Sequence, residues 1–185
     1  MAQWERCYPL TLKFEGGFQD NPKDVGNWTG GEVGQGDLKG TKFGISASSY
    51  PEYDIKSLTE EKAIEIYHRD FWNYLHLTCI ISDRVAWKVF DIAVNCGTRT
   101  AAKMVQNAVG VLPDGIIGEV TLRAINLSEP IDVLNKLVNL QQIHYAKINE
   151  RYKEKHGEDH YAYKGWMVRS ENIAPELEEE LCGNL

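Results

Sequence analysis

The sequence predicts a mainly α-helical protein with a small irregular or β-hairpin lobe, on three observations. Helical periodicity runs through nearly everything after residue 60; residues 16–46 hold nine glycines in thirty-one positions; and 185 residues suit one compact domain or a domain with an appendage. A glycine-rich stretch that long seldom persists as idle loop in a compact domain, so it reads as a hairpin region or a functional surface.

The elements follow in order. Trp4, Cys7, Tyr8 and Leu12 mark a first helix with Pro9 as a kink or restart, ending near Glu15 where Gly16 and Gly17 terminate it. Thr59 before Glu60 and Glu61 is a helix start, with Leu58 placed to staple onto Ala63, and Ala63, Tyr67, Phe71 and Leu75 form its apolar face. From Ser82 to Gly97, apolar residues recur every four positions in two registers, Val85–Val89–Ala93 and Ala86–Phe90–Val94, which predicts a central helix. Further helices are expected over 98–109, closed by Gly110, and after the Asp114–Gly115 turn to about Leu127. Ser128 is then read as the cap of the longest helix, whose inner side carries Ile131, Leu134, Val138, Tyr145, Ile148 and Tyr152 and which runs to Lys155 or Gly157. An apolar-aromatic stretch at 161–169 follows, and the acidic tail from Glu171 through Glu180 reads as a solvated helix face.

Composition narrows the function. Twenty Lys and Arg against 27 Asp and Glu give a net charge of -7, divided -4 over residues 1–98 and -3 over 99–185, so neither half has the basic surplus that gripping a nucleic acid requires. No apolar run approaches the ~20 residues of a membrane helix, and no export signal is evident. Cys7, Cys79, Cys96 and Cys182 lie far apart without a CxxC pair and are expected to be free buried thiols. His156 and His160 flank Gly157 with no third ligand nearby, and Cys96 has no peptidase signature around it, so neither suggests a metal or thiol site.

Two carboxylates stand out. Glu15, at the C-terminal end of the expected first helix and between Phe14 and Phe18, would meet the negative end of the helix dipole and an apolar setting, both of which favour the protonated acid. Asp24, nine residues later, sits in a polar glycine-bearing loop suited to the charged form. A carboxyl pair divided in this way is what glycoside hydrolysis uses, one group protonating the leaving oxygen and the other supporting water or the oxocarbenium charge. The alternative is that Glu15 merely ends an exposed helix.

The ordered set FEGGF (14–18), GTKFGIS (40–46), EEKAIEIYHRDFW (60–72) and VFDIAVNCG (89–97) resembles the N-acetylmuramidases of glycoside hydrolase family 108, lysozyme-like proteins also described as secretion activators and found among phage endolysins. The resemblance implies a lysozyme-like fold, with Glu15, Asp24 and Thr41 as the catalytic set. The family's short loop is expanded here by WTGGEVGQGDLKG, so Thr29 competes with Thr41, and Asp20 and Asp37 with Asp24. Beyond residue 98, DGIIGEVT (114–121) and YKGWMVR (163–169) resemble the peptidoglycan-binding region that accompanies the family, although a turn and helix start would explain the first equally well. The division implied is a muramidase domain over 1–98 and a helical binding region over 99–185, packed as one unit. Asn95 is a candidate for a sugar acetamido group, and Trp166 and Tyr163 for sugar faces; a helix-end polar residue and core packing are the respective alternatives.

The expected activity is cleavage of the β-1,4 bond between N-acetylmuramic acid and N-acetylglucosamine in peptidoglycan, with no metal or cofactor. A lytic transglycosylase and a non-catalytic wall-binding or secretion-assisting module are the alternatives. A chain made in the cytoplasm would then reach the wall or periplasm through a holin or a dedicated exporter.

Overall fold

The computed structural model describes residues 1–12 and 17–177. It is mainly α-helical and lysozyme-like, with one two-stranded antiparallel sheet: α1 (Trp4–Thr11), β1 (Thr41–Lys42), β2 (Ile45–Ser46), α2 (Glu60–Tyr67), α3 (Asp83–Cys96), α4 (Thr98–Ala108), α5 (Glu119–Leu127), α6 (Pro130–His156) and α7 (Tyr163–Glu171). Two compact units are distinguished, Leu12–Asp70 and, in the other, Met1–Thr11 with the chain from Phe71 onward. No helix among the described residues is long and apolar enough to cross a membrane.

In the larger unit α3 is the axis. Ser82 caps it by accepting a hydrogen bond from the Val85 N–H at 3.4 Å, and Gly97, at φ 86°, ends it. Ten of its fourteen residues are buried, and α1, α4 and α6 all pack against it. Three of those ten are charged. Asp83 accepts from the Gln3 N–H at 2.8 Å and pairs with Arg6, which sets α1 in place. Lys88, fully buried, donates to the carbonyls of Ser170 (2.7 Å) and Asn172 (2.9 Å) at the end of α7. Asp91 pairs with Arg169 of α7 at 2.7 Å and accepts from the Thr11 hydroxyl at 3.1 Å. An unpaired charge at such depth is costly, so these contacts decide where the two distant segments lie. Aromatic packing completes the region, with Trp4 set edge-on to Trp72 and Phe90 at 5.4 and 5.2 Å.

Five sequence expectations are corrected. Ser128 does not cap α6; its hydroxyl donates to the Ala124 carbonyl at 2.8 Å and closes α5, while Glu129 and Pro130 begin α6. Proline at the first helical position has no N–H to satisfy, so a side-chain cap is less needed there. The buried stripe of α6 is Val133, Leu134, Leu137, Gln141, Tyr145 and Asn149, with Ile131 exposed. Two polar residues occupy core positions: Gln141 donates to the Tyr145 hydroxyl (2.9 Å) while its side-chain oxygen is buried without a hydrogen-bond partner, and Asn149 donates to Asp159 (2.9 Å) and accepts from the His160 N–H (2.7 Å).

The regular face expected over 63–75 breaks after Tyr67, where α2 passes into a π-helical stretch, His68–Asn73. The wider turn shifts the register, and Trp72 becomes fully buried while Phe71 is half-buried. Past Glu171, where α7 ends, the acidic tail is not α-helical over its described part, and a 3₁₀ turn over Pro175–Leu177 buries Leu177; Glu178, Glu179 and Glu180 lie outside the described residues. Cys7 and Cys96 are free and at least half-buried, but Cys79 is exposed; Cys182 lies outside the described residues. Burial and the neighbouring Asp83 push the Cys7 thiol up to about 12.

Truncation after Leu127 removes α6 and α7, uncovering α3 and depriving Lys88 of its two carbonyl acceptors and Asp91 of Arg169; we expect an aggregating or partly unfolded product, checked by gel filtration and circular dichroism. Burial lowers Lys88 to about 8, below the ordinary lysine value, so between about pH 8 and 10.5 the unfolded chain binds the extra proton. The Lys88 contribution to stability must therefore rise with pH across that window. Lys88→Met should abolish this rise, seen as a wild-type-minus-variant difference in urea unfolding free energy that grows from pH 8 to 10.

Candidate functional site

The glycine-rich lobe is built on a short hairpin. β1 and β2 pair Thr41 with Ser46 and Lys42 with Ile45, leaving Phe43 and Gly44 as a two-residue loop with φ of 53° and 77°. Positive φ at both positions is the type I′ requirement, whose twist matches that of the strands. A Cβ at Gly44 would lie 2.3 Å from the Tyr67 hydroxyl, which donates to the Phe43 carbonyl at 3.2 Å. Gly40, at φ 81°, has equally little room, because a Cβ there would lie 2.5 Å from the Gln19 carbonyl.

That close approach joins two segments far apart in sequence. Gln19 and Thr41 form an antiparallel bridge, the Thr41 N–H donating to Gln19 at 2.8 Å and the Gln19 N–H to Thr41 at 3.0 Å. Beneath them lies Asn27, with no exposed surface. Its side-chain oxygen accepts from the Thr41 hydroxyl (2.7 Å) and the Gln19 amide (3.0 Å), and its own amide donates to the Gln19 side-chain oxygen (2.8 Å) and the Asn21 carbonyl (3.0 Å). The Asn27 carbonyl also accepts from the N–H groups of Lys39 and Gly40.

Asp24 belongs to the same network. One of its oxygens accepts from the Gly26 N–H at 2.9 Å, capping a 3₁₀ turn over Val25–Asn27, and the other accepts from the Gln19 amide at 3.3 Å. The carboxylate is otherwise exposed. Asp24 and Thr41 are thus tied together through Gln19 and Asn27. The competing residues Thr29 and Asp37 pair with each other instead. The Thr29 hydroxyl accepts from the Asp37 N–H (2.8 Å), the Thr29 N–H donates to the Asp37 carbonyl (3.0 Å), and Trp28 bridges Leu38, so the expanded loop closes on itself as a hairpin. Asp20 is exposed. Glu15 lies outside the described residues.

The other candidates belong to the larger unit. Asn95, near the end of α3, is exposed and its side chain donates to the Asp91 carbonyl one turn back at 2.6 Å. Trp166 is half-buried between Tyr145 (5.4 Å) and His160 (4.5 Å), both stacked on it; Tyr163 is half-buried at the start of α7. His156 and His160 both pack on Tyr152, at 4.2 and 4.7 Å. The DGIIGEVT motif is locked to α4 by buried Gln106, whose amide donates to Asp114 (2.7 Å) and Thr121 (3.3 Å) and whose oxygen accepts from the Gly115 N–H (2.9 Å). The bond from Gln106, and after it that from the Ile116 N–H (2.8 Å), hold the Asp114 carboxyl below its ordinary value.

Sequence reasoning missed Gln19 and Asn27. The available signal was weak: an amide beside Gly26 in the one glycine-rich segment, carrying both a donor and an acceptor for a fold-back it could satisfy.

Residues 8–97 match the family model described as glycosyl hydrolase 108, which supports a glycoside hydrolase. The solved structure of Brucella abortus SagA is similar, with 26% identity, coverage of 94% of this chain and 92% of that one, and a TM-score of 0.70. No curated protein matches.

Replacing Asn27 by Leu keeps the bulk but strips the Thr41 hydroxyl and both ends of the Gln19 amide of their buried partner. Exposed Gln19 keeps Asp24 and the Asn21 N–H, so the loss falls on the part-buried Thr41 hydroxyl and Asn21 carbonyl; an unsatisfied buried group costs about 1 to 3 kcal/mol, and we expect clear destabilisation in urea titration, against no measurable change for Asp20→Asn.

Proposed function

We propose that the chain is an N-acetylmuramidase that hydrolyses the β-1,4 bond between N-acetylmuramic acid and N-acetylglucosamine in peptidoglycan. The match of residues 8–97 to a glycosyl hydrolase family supports the reaction class. The single observation that carries the reading within the lobe is the network through which Gln19 and buried Asn27 hold Asp24 and Thr41 in one place while the rival loop residues pair among themselves.

In this reading Glu15 donates its proton to the glycosidic oxygen as the bond to the anomeric carbon breaks. The leaving sugar departs as an alcohol, and water adds to the anomeric carbon, its proton passing either to the Glu15 carboxylate, with Asp24 stabilising the positive charge, or to the Asp24 carboxylate, from which it returns to Glu15 through solvent. The net change is one water consumed per bond and a new reducing end. Thr41, its hydroxyl donated to Asn27, has its oxygen free to accept from water or a sugar hydroxyl. Asn95, Tyr163 and Trp166 serve substrate binding in residues 99–185 and the preceding helix end, by hydrogen bonding to an acetamido group and by stacking on sugar rings. The product is an enzyme of the cell wall or periplasm, delivered by a holin or an exporter.

Glu15→Gln keeps shape but cannot donate a proton as an acid, and should lower turnover by about 10² to 10⁴, roughly 3 to 5 kcal/mol in the barrier, with folding intact. Asp24→Asn should also cost far more activity than Asp20→Asn or Asp37→Asn. Mass analysis of digested peptidoglycan decides the class: reducing muramic ends are expected, anhydro-muramic ends would make the chain a lytic transglycosylase, and intact glycan would make it a binding module. Near-normal hydrolysis by a well-folded Glu15→Gln protein would end the proposed mechanism.

A further inference from the structure

Within the larger unit, α4 and α6 leave a groove of about 400 Å³ between them, within the range of small-ligand sites. Its floor is Met104, Leu140 and Ile143, and its rim carries Arg99 and Lys103, one turn apart on α4, and Lys147 on α6. No Asp or Glu lines it. None of the three cations forms an ion pair among the described residues, in a chain whose net charge is -7. Arg99 also stands in the first turn of α4, which holds no acidic residue and has no side-chain cap, so a cation sits at the positive end of that helix. His144 opens into the same groove, and burial, with Arg151 and Lys147 beside it, holds its imidazole below the ordinary histidine value. The local potential is therefore positive, offset in part at Arg99 by the Asp114 carboxylate beside the Gly115 turn.

We infer that this groove binds a short acidic peptide with aliphatic side chains. Both halves of the lining are then used: carboxylates meet Arg99, Lys103 and Lys147, and small apolar side chains cover Met104, Leu140 and Ile143. A bare phosphate would leave the apolar floor wet, and an uncharged lipid-like ligand would strip water from three cations without replacing it. If the substrate is peptidoglycan, as proposed above, its stem peptide is such a ligand, carrying alanine methyls and free carboxylates. The groove would then read the peptide while the glycine-rich lobe acts on the glycan. Exposed charge contacts are individually weak, so the affinity is modest and falls with salt.

The test uses the full chain and a synthetic stem-type pentapeptide, free of sugar, with its carboxylates either free or amidated. Titration calorimetry and amide NMR should show binding of the free-acid peptide with shifts centred on α4 and α6. Affinity should drop by about tenfold or more for Lys103→Glu and Lys147→Glu, whose like charge repels the peptide, and for the amidated peptide. Lys103→Gln, which only removes a charge, should give an intermediate loss, and thermal unfolding of each variant checks its fold. No binding, equal binding of the amidated peptide, indifference to the charge reversals, or equal binding of a polyglycerol phosphate would overturn the inference. Wild-type hydrolysis of glycan strands stripped of peptide is measured separately. Peptide binding without such hydrolysis upholds the groove and ends the muramidase reading; hydrolysis without peptide binding overturns the groove alone.

Discussion

The larger unit depends on the burial of charge along α3. Asp83, Lys88 and Asp91 lie on a helix otherwise committed to the core, and each is matched by a group brought from far along the chain: Gln3 and Arg6, the carbonyls of Ser170 and Asn172, and Arg169 with Thr11. Apolar packing alone would tolerate several placements of α1 and α7, because hydrophobic contact has no direction. A buried ion without its partner is far less forgiving. The charges therefore act as locating pins, and the register of both terminal segments follows from them.

Three of the sequence motifs gain a physical meaning from this arrangement. The aspartate of VFDIAVNCG and the arginine of YKGWMVR are the two ends of one ion pair, at 2.7 Å. The DGIIGEVT run is likewise a loop held by Gln106, with Gly115 at φ 87° giving up its N–H to that side chain. In each case a motif that could be taken for a ligand signature has its aspartate engaged within the fold, Asp91 by Arg169 and Asp114 by Gln106. The groove between α4 and α6 is the opposite case, a charged surface whose three cations form no ion pair among the described residues.

The glycine-rich lobe works by a different economy. Its sheet has two strands of two residues each, too little backbone pairing to hold a lobe by itself. Buried Asn27 supplies the missing constraint, gathering Gln19, Asn21, Lys39, Gly40 and Thr41 around one amide and one carbonyl. Glycine at positions 40 and 44 permits the close approaches this requires. The long insertion is absorbed as a self-closed hairpin through Trp28, Thr29, Asp37 and Leu38, which is why it can be accommodated without disturbing the link between Asp24 and Thr41.

Much of the helical frame was legible in the sequence because its signals are local. Thr59 and Ser82 cap the helices they precede, Gly97 and Gly157 end the ones before them, and the four-residue repeat marked α3 as central. Local signals failed where residue type alone left more than one outcome open. Ser128 closes one helix instead of opening the next, Gln141 enters the core of α6 bonded to Tyr145 one turn on, Asn149 enters it bonded to Asp159 and His160 beyond the helix end, and the π-helical turn after Tyr67 moves Trp72 inward. For the candidate site, the sequence alone determined which residue types stand at 15, 24 and 41. Only the tertiary structure decided that Asp24 and Thr41 share one network and that Asn27 joins them. Hydrogen bonding across 14 residues leaves no periodic trace in a chain, since it depends on where two loops meet rather than on the spacing within either.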